Sequence, residues 1–130
     1  MTSYTRSSRG GTRPSAVIRA TRAQAWAAAR DRDVDAMLRV AGSPSADGEA
    51  LMVLCPPVGE LDQLSVGVAL AIVEHSQCPG GLADRLSRHP SAAVRLAVIR
   101  RGRCGAMAEA ILLADPNGSV RAAAQRAFGT

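Results

Sequence analysis

Hydrophobic and polar positions along this chain keep a helical period almost throughout. From Ala16 to Asp31, Ala, Arg and Gln surround a single Trp26, and these strong helix formers predict a first helix. A second helix is expected from about Asp33 to Val40, before Gly42-Ser43-Pro44-Ser45 interrupts the pattern. Asp47 to Leu54 reads as a third, short helix ending at Pro56-Pro57. Near the C-terminus Val120, Ala123, Ala124, Ala127 and Phe128 stand at i, i+3, i+4, i+7 and i+8, one apolar stripe of a helix.

The later part of the chain repeats itself. At a shift of 26 residues Cys78 falls on Cys104, Leu86 on Leu112, His89 on Asp115, Pro90 on Pro116 and Val94-Arg95 on Val120-Arg121. The same shift backwards places Val68 on Val94, Ala71 on Ala97 and Ile72 on Val98, in a copy that begins at Cys55-Pro56 and lacks three residues in its first half. Each copy predicts a helical hairpin. Leu82 and Leu86, and then Ala108, Ile111 and Leu112, mark its first helix, and the second follows the Pro. Asp115-Pro116 fits an N-cap followed by Pro at the first helical position, where its missing N–H costs nothing. One hairpin cannot bury its apolar face alone, so the copies are expected to stack.

The pattern Cys-x-x-x-Leu-x-x-x-Leu, then Asp/His-Pro-x-x-x-Val-Arg, resembles bacterial HEAT-like repeats, and especially the variant leucine-rich repeat. The resemblance covers roughly residues 55–130 and is strongest over 78–128. It implies an all-α fold, a short right-handed α-solenoid of stacked hairpins. Repeats run over 55–77, 78–103 and 104–129, with residues 16–54 as capping helices. Proteins of this kind serve as protein-binding scaffolds, DNA-binding alkylation-repair enzymes or lyase-like chaperones, so the resemblance speaks to fold more than to function.

Composition sharpens the picture at the ends. Every basic residue is Arg, which with the abundant Ala and Gly looks like a GC-rich coding bias and discounts each Arg as a functional signal. Residues 1–22 hold five Arg and no acid. Residues 31–75 hold eight acids against two Arg, and residues 76–103 hold six Arg against Asp84, so the molecule is strongly polarised. Residues 1–15, rich in Ser, Thr, Gly and Arg, are expected to form a flexible basic tail. This N-terminus has no apolar core of a signal peptide, and the longest apolar run, Leu64 to Val73, is about half of what a membrane span needs. A cytoplasmic protein with no membrane contact is expected.

Candidate chemistry is sparse. Some variant-repeat proteins carry an iron–sulfur cluster, but Cys55, Cys78 and Cys104 hold one slot in successive copies. Stacked helices stand about 9–10 Å apart, whereas sulfurs sharing a metal must lie within about 4 Å of each other. Semi-buried structural thiols are expected, and His75-x-x-Cys78 lacks the second pair a zinc site needs. Asp33/Asp35 and Glu60/Asp62 are i, i+2 pairs that do not share a helix face. His89, in the slot of Asp115, suggests a turn or cap. Arg95 and Arg121 are expected to brace the preceding turn, with Asp115 a natural partner for one of them. Trp26 is expected to dock the first helix on the stack, with an exposed interface anchor as the alternative.

These readings predict no catalytic residue, no metal and no cofactor. They favour a non-enzymatic module that binds another protein. The alternative is nucleic-acid binding through Arg6, Arg9, Arg13, Arg19 and Arg22 of the tail and first helix, extended by a ridge of Arg85, Arg88, Arg100, Arg101 and Arg103. Against it stands the scarcity of aromatics for base stacking. Self-association, basic tail on the acidic middle of a second copy, is a further possibility, and an enzyme such as a glycosylase the remotest.

Overall fold

The computed structural model describes residues 15–129, which form eight α-helices and one 3-10 segment and no β-strand. The Ser15 hydroxyl caps α1 (Ala16–Asp31) by accepting from the Ile18 N–H at 3.2 Å, so Ser15 belongs to the helix rather than to a tail. Asp33 caps α2 (Val34–Ala41) and Asp47 caps α3 (Gly48–Leu54) in the same way, through the N–H groups of Ala36 and Ala50. After Pro56-Pro57 a 3-10 segment, Val58–Gln63, leads to α4 (Val66–Glu74), capped by Ser65. Then come α5 (Gly80–Leu86), α6 (Ala92–Arg101), α7 (Ala106–Leu113) and α8 (Gly118–Phe128).

The three helices expected before residue 55 are present, and so are the hairpins α5–α6 and α7–α8. In the first copy the missing three residues leave room only for the 3-10 segment, kinked at Glu60, in place of a first α-helix. Cys55, Cys78 and Cys104 each stand a few residues ahead of their copy's first helical element.

Packing follows the repeat. α2, α4, α6 and α8 contact one another in succession, while α1 lies on α3 and α5 lies between the 3-10 segment and α7. Val68, Val94 and Val120 are fully buried in one slot, and Ile72, Val98 and Ala124 in the next. Burying each Val or Ile contributes about 2 kcal/mol. The third copy differs from the middle one in polarity: where the middle copy buries Ile99 and Ala83, it carries exposed Gln125 and half-buried Glu109.

Two expectations need correction. The N-cap of α8 is Asn117, whose side-chain oxygen accepts from the N–H groups of Ser119 and Val120 at 2.9 and 3.2 Å. Asp115 is drawn away from that role by Arg95, and its free lone pairs accept the Asn117 N–H at 2.9 Å. Nor does Trp26 dock α1. The stripe Thr21, Ala25, Ala28 is buried instead, because small side chains at i, i+4, i+7 let α1 approach closely, and Trp26, a step off that stripe, is 62% exposed.

Candidate interaction surface

The polar groups that chemistry would need are occupied in holding the backbone. His75 donates from Nε2 to the Ser43 carbonyl at 2.8 Å and accepts the Gln77 N–H on Nδ1 at 3.0 Å. With both ring nitrogens engaged, His75 has no lone pair left for a metal shared with Cys78. His89 is buried and follows the same rule, donating to the Leu64 carbonyl at 3.0 Å and accepting from the Ser91 N–H at 3.0 Å. Burial pushes the thiols of Cys55, Cys78 and Cys104 above their ordinary range, and for Cys55 the nearby Arg85 guanidinium offsets this only in part. No group of three or more His, Cys, Asp or Glu side chains able to hold a metal occurs among the described residues.

The arginines divide into braces and exposed cations. Arg95 donates to both oxygens of Asp115 and to the carbonyls of His89 and Pro90, and Arg121 donates to the Asp115 carbonyl at 2.7 Å. Arg85 reaches back to the carbonyls of Cys55 and Pro56, and Arg101 to that of Ser76. Arg22 ties α1 to α3 through Asp47 and, at 3.5 Å, Glu49. Arg88, Arg100 and Arg103 are exposed and make no side-chain bond among the described residues. Arg88 follows α5 while Arg100 and Arg103 end α6, so they occupy opposite ends of the α5–α6 hairpin rather than one ridge. Arg19 is exposed on α1. Arg6, Arg9 and Arg13, and the tail reading with them, lie outside the described residues.

The chain matches no protein-family model, no curated protein and no solved structure.

One of several surface clefts, with a volume of about 200 Å³, has a largely aliphatic set of walls; a larger one of about 470 Å³, with Asp31, Asp33 and Arg39 in its lining, lies between α1 and α2. Ala29 at the end of α1, Val34 and Met37 of α2, Val53 and Leu54 of α3, Pro56, Leu64 and Val68 wall the smaller, aliphatic cleft, with Arg32, Glu60, Gln63 and Ser65 supplying its polar groups. It lies where α1, α2 and α3 meet the stretch that runs from the 3-10 segment into α4. Val34 in its wall is 45% exposed; Leu38, Val58 and Val66, elsewhere on α2, the 3-10 segment and α4, are 38–45% exposed, and Leu38 lies against Gly67 of α4. Arg32 at its edge has φ +51°, a left-handed conformation that closes α1 and is costly for a side chain with a Cβ.

Sequence reasoning missed this site because no motif carries it. No helix of the described residues is long and apolar enough to cross a membrane.

Proposed function

We propose that this protein is a non-enzymatic helical-repeat module of the HEAT-like kind, acting in the cytoplasm, and that it binds a partner protein through the apolar surface centred on the cleft between α2, α3 and α4. The observation that carries this reading is the cleft with Val34 in its wall, 45% exposed, while Leu38 on the same helix and Val66 next to the lining residue Ser65 are exposed as well. Contiguous exposed apolar surface on a small domain marks a place where another molecule sits. The cleft is smaller than the roughly 300–1,000 Å³ of sites for drug-sized ligands, and Glu60 is the one carboxylate in its lining. The engagement of Arg85, Arg95 and Arg101 in backbone carbonyls speaks against a continuous phosphate-tracking ridge.

Peptide-display selection on the full chain, followed by affinity measurements on variants, tests the reading. Selected peptides are expected to carry apolar anchors and to lose about tenfold or more in affinity on Leu38→Asp or Val66→Asp, the size of a hot-spot loss. They should bind unchanged to Met107→Asp, whose parent side chain is 71% exposed on α7. An absence of enriched peptides, or binders indifferent to both cleft-side substitutions, would overturn it.

A further inference from the structure

Helix α6 ends in arginines whose arrangement turns on one glycine. Side chains two residues apart on a helix do not face each other. Gly102 closes α6 in the left-handed region, at φ +75°, and beyond that turn Arg103 lines the same surface cleft as Arg101 and Ser76. The Arg101 guanidinium donates to the Ser76 carbonyl at 3.2 Å, which holds it over the turn after α4 and leaves its other N–H groups free. A second cleft shares Arg101 and adds Glu74 of α4 and Arg100 of α6.

The sign of the charge here is clear. The two linings hold three guanidiniums, of Arg100, Arg101 and Arg103, against one carboxylate, Glu74, which leaves two positive charges. Asp84 of α5 lines neither cleft and accepts the Gly105 N–H at 2.7 Å. The carbonyl end of α6 adds about half a negative charge, too little to reverse the sign.

Guanidinium forks hold oxyanions through paired hydrogen bonds, and a phosphate monoester presents about two negative charges and three acceptor oxygens. Arg101 and Arg103 supply two forks, and Ser76 adds a hydroxyl that makes no bond among the described residues. A carboxylate would leave both charge and donors unmatched. A free phosphate would leave Arg100 unused and meet the like charge of Glu74. A phosphorylated side chain brings its own backbone, whose carbonyl and N–H suit Arg100 and Glu74.

We propose that the paired clefts at the end of α6 bind a phosphorylated side chain of a partner protein. The phosphoryl group sits between Arg101 and Arg103, and the adjoining backbone lies along Arg100 and Glu74. The inference takes from the module reading only that the partner is a protein, and does not depend on the apolar cleft.

The test uses the full chain and a blocked pentapeptide with phosphoserine between two pairs of alanines, followed by its phosphorus resonance. Saturable binding is expected, and Arg100→Ala or Arg103→Ala should weaken it about tenfold or more, the loss of one charge-assisted hydrogen bond. Both side chains are exposed and unbonded among the described residues, so the fold should persist, which thermal melting checks. Arg88→Ala, at the other end of the hairpin, should leave binding unchanged. The unphosphorylated peptide and inorganic phosphate should each bind about tenfold or more weakly. Full binding to both Arg100→Ala and Arg103→Ala, or an equal loss on Arg88→Ala, would overturn the proposal. So would inorganic phosphate binding as tightly as the phosphopeptide, which would make the ligand a free anion. A duplex oligonucleotide that binds more tightly and loses that affinity on Arg103→Ala would replace the protein partner with nucleic acid. If the phosphopeptide fails to bind while display-selected peptides still depend on Leu38 and Val66, this inference alone falls and the module reading stands.

Discussion

Arg95 of α6 leaves its own repeat to form a two-pronged ion pair with Asp115, at 2.7 and 3.2 Å, in the turn of the next. The slot of Asp115 is filled by His89 one copy earlier, and there the preceding copy offers Ala69 where the later one offers Arg95. Without a cation to meet, the slot residue becomes a donor, and His89 bonds the Leu64 carbonyl. Both residues also accept the N–H two positions on, so the local turn is kept while the contact between copies changes its chemistry.

Asp115→Ala should therefore be severe. The carboxylate is 3% exposed and the Arg95 side chain 13%, and removing one member of a buried pair leaves the other charge uncompensated, a loss of about 3 kcal/mol or more in urea unfolding. Combining Asp115→Ala with Arg95→Leu should recover part of that loss. A double variant as unstable as the sum of the singles would show that the two do not act together.

Val120→Asp places a charge where the parent side chain is fully buried between α8 and its neighbours. Destabilisation of about 3 kcal/mol or more is expected, read as a lower melting temperature. An unchanged melting temperature would mean that the 26-residue register is misphased.

Much of this fold was readable from period and spacing. Helix α1 has the bounds expected from its composition, and Val94 and Val120 are buried at equivalent positions because the repeat preserves the packing unit. What escaped was whatever depends on partners distant in sequence. Arg85 bonds the Cys55 carbonyl, thirty residues away, a role its local pattern does not give, whereas the pairing of Asp115 with Arg95 is one the repeat spacing suggested. Trp26 misled because size suggested burial, whereas α1 meets α3 through Thr21 and two alanines. The cleft escaped because its walls come from α1, α2, α3 and α4, which no local pattern brings together.

The left-handed Arg32 offers a stabilising change. Gly adopts φ +51° without a Cβ clash, so Arg32→Gly should raise stability by about 1 kcal/mol in denaturant unfolding. Gly102 closes α6 at φ +75°, and Gly102→Ala should move stability the other way by a similar amount. If Arg32→Gly is destabilising, the Arg32 side chain contributes more at the cleft edge than the backbone strain costs.

Hydrogen bonding from Arg22 holds the Asp47 carboxyl below its usual range, against the opposing effect of burial. A carboxyl that protonates less readily folded than unfolded stabilises the fold fully above the unfolded value, and this is lost as pH falls through the depressed folded value. Asp47→Asn keeps the cap of α3 but not the ion pair. Stability at pH 7 should drop modestly and its decline in acid should flatten. An acid limb as steep as that of the parent would assign the effect to other carboxylates.

The location of a bound partner segment tests the central claim most directly. Amide resonances of the full chain, followed while a display-selected peptide is titrated in, should shift at Val34, Met37, Val53, Gln63 and Val68, the walls of the cleft. Arg100, Arg103 and Met107 should stay unperturbed. Shifts concentrated on the exposed arginines of α6, or around Trp26 on α1, with the cleft amides unmoved, would contradict the account and place the binding surface elsewhere.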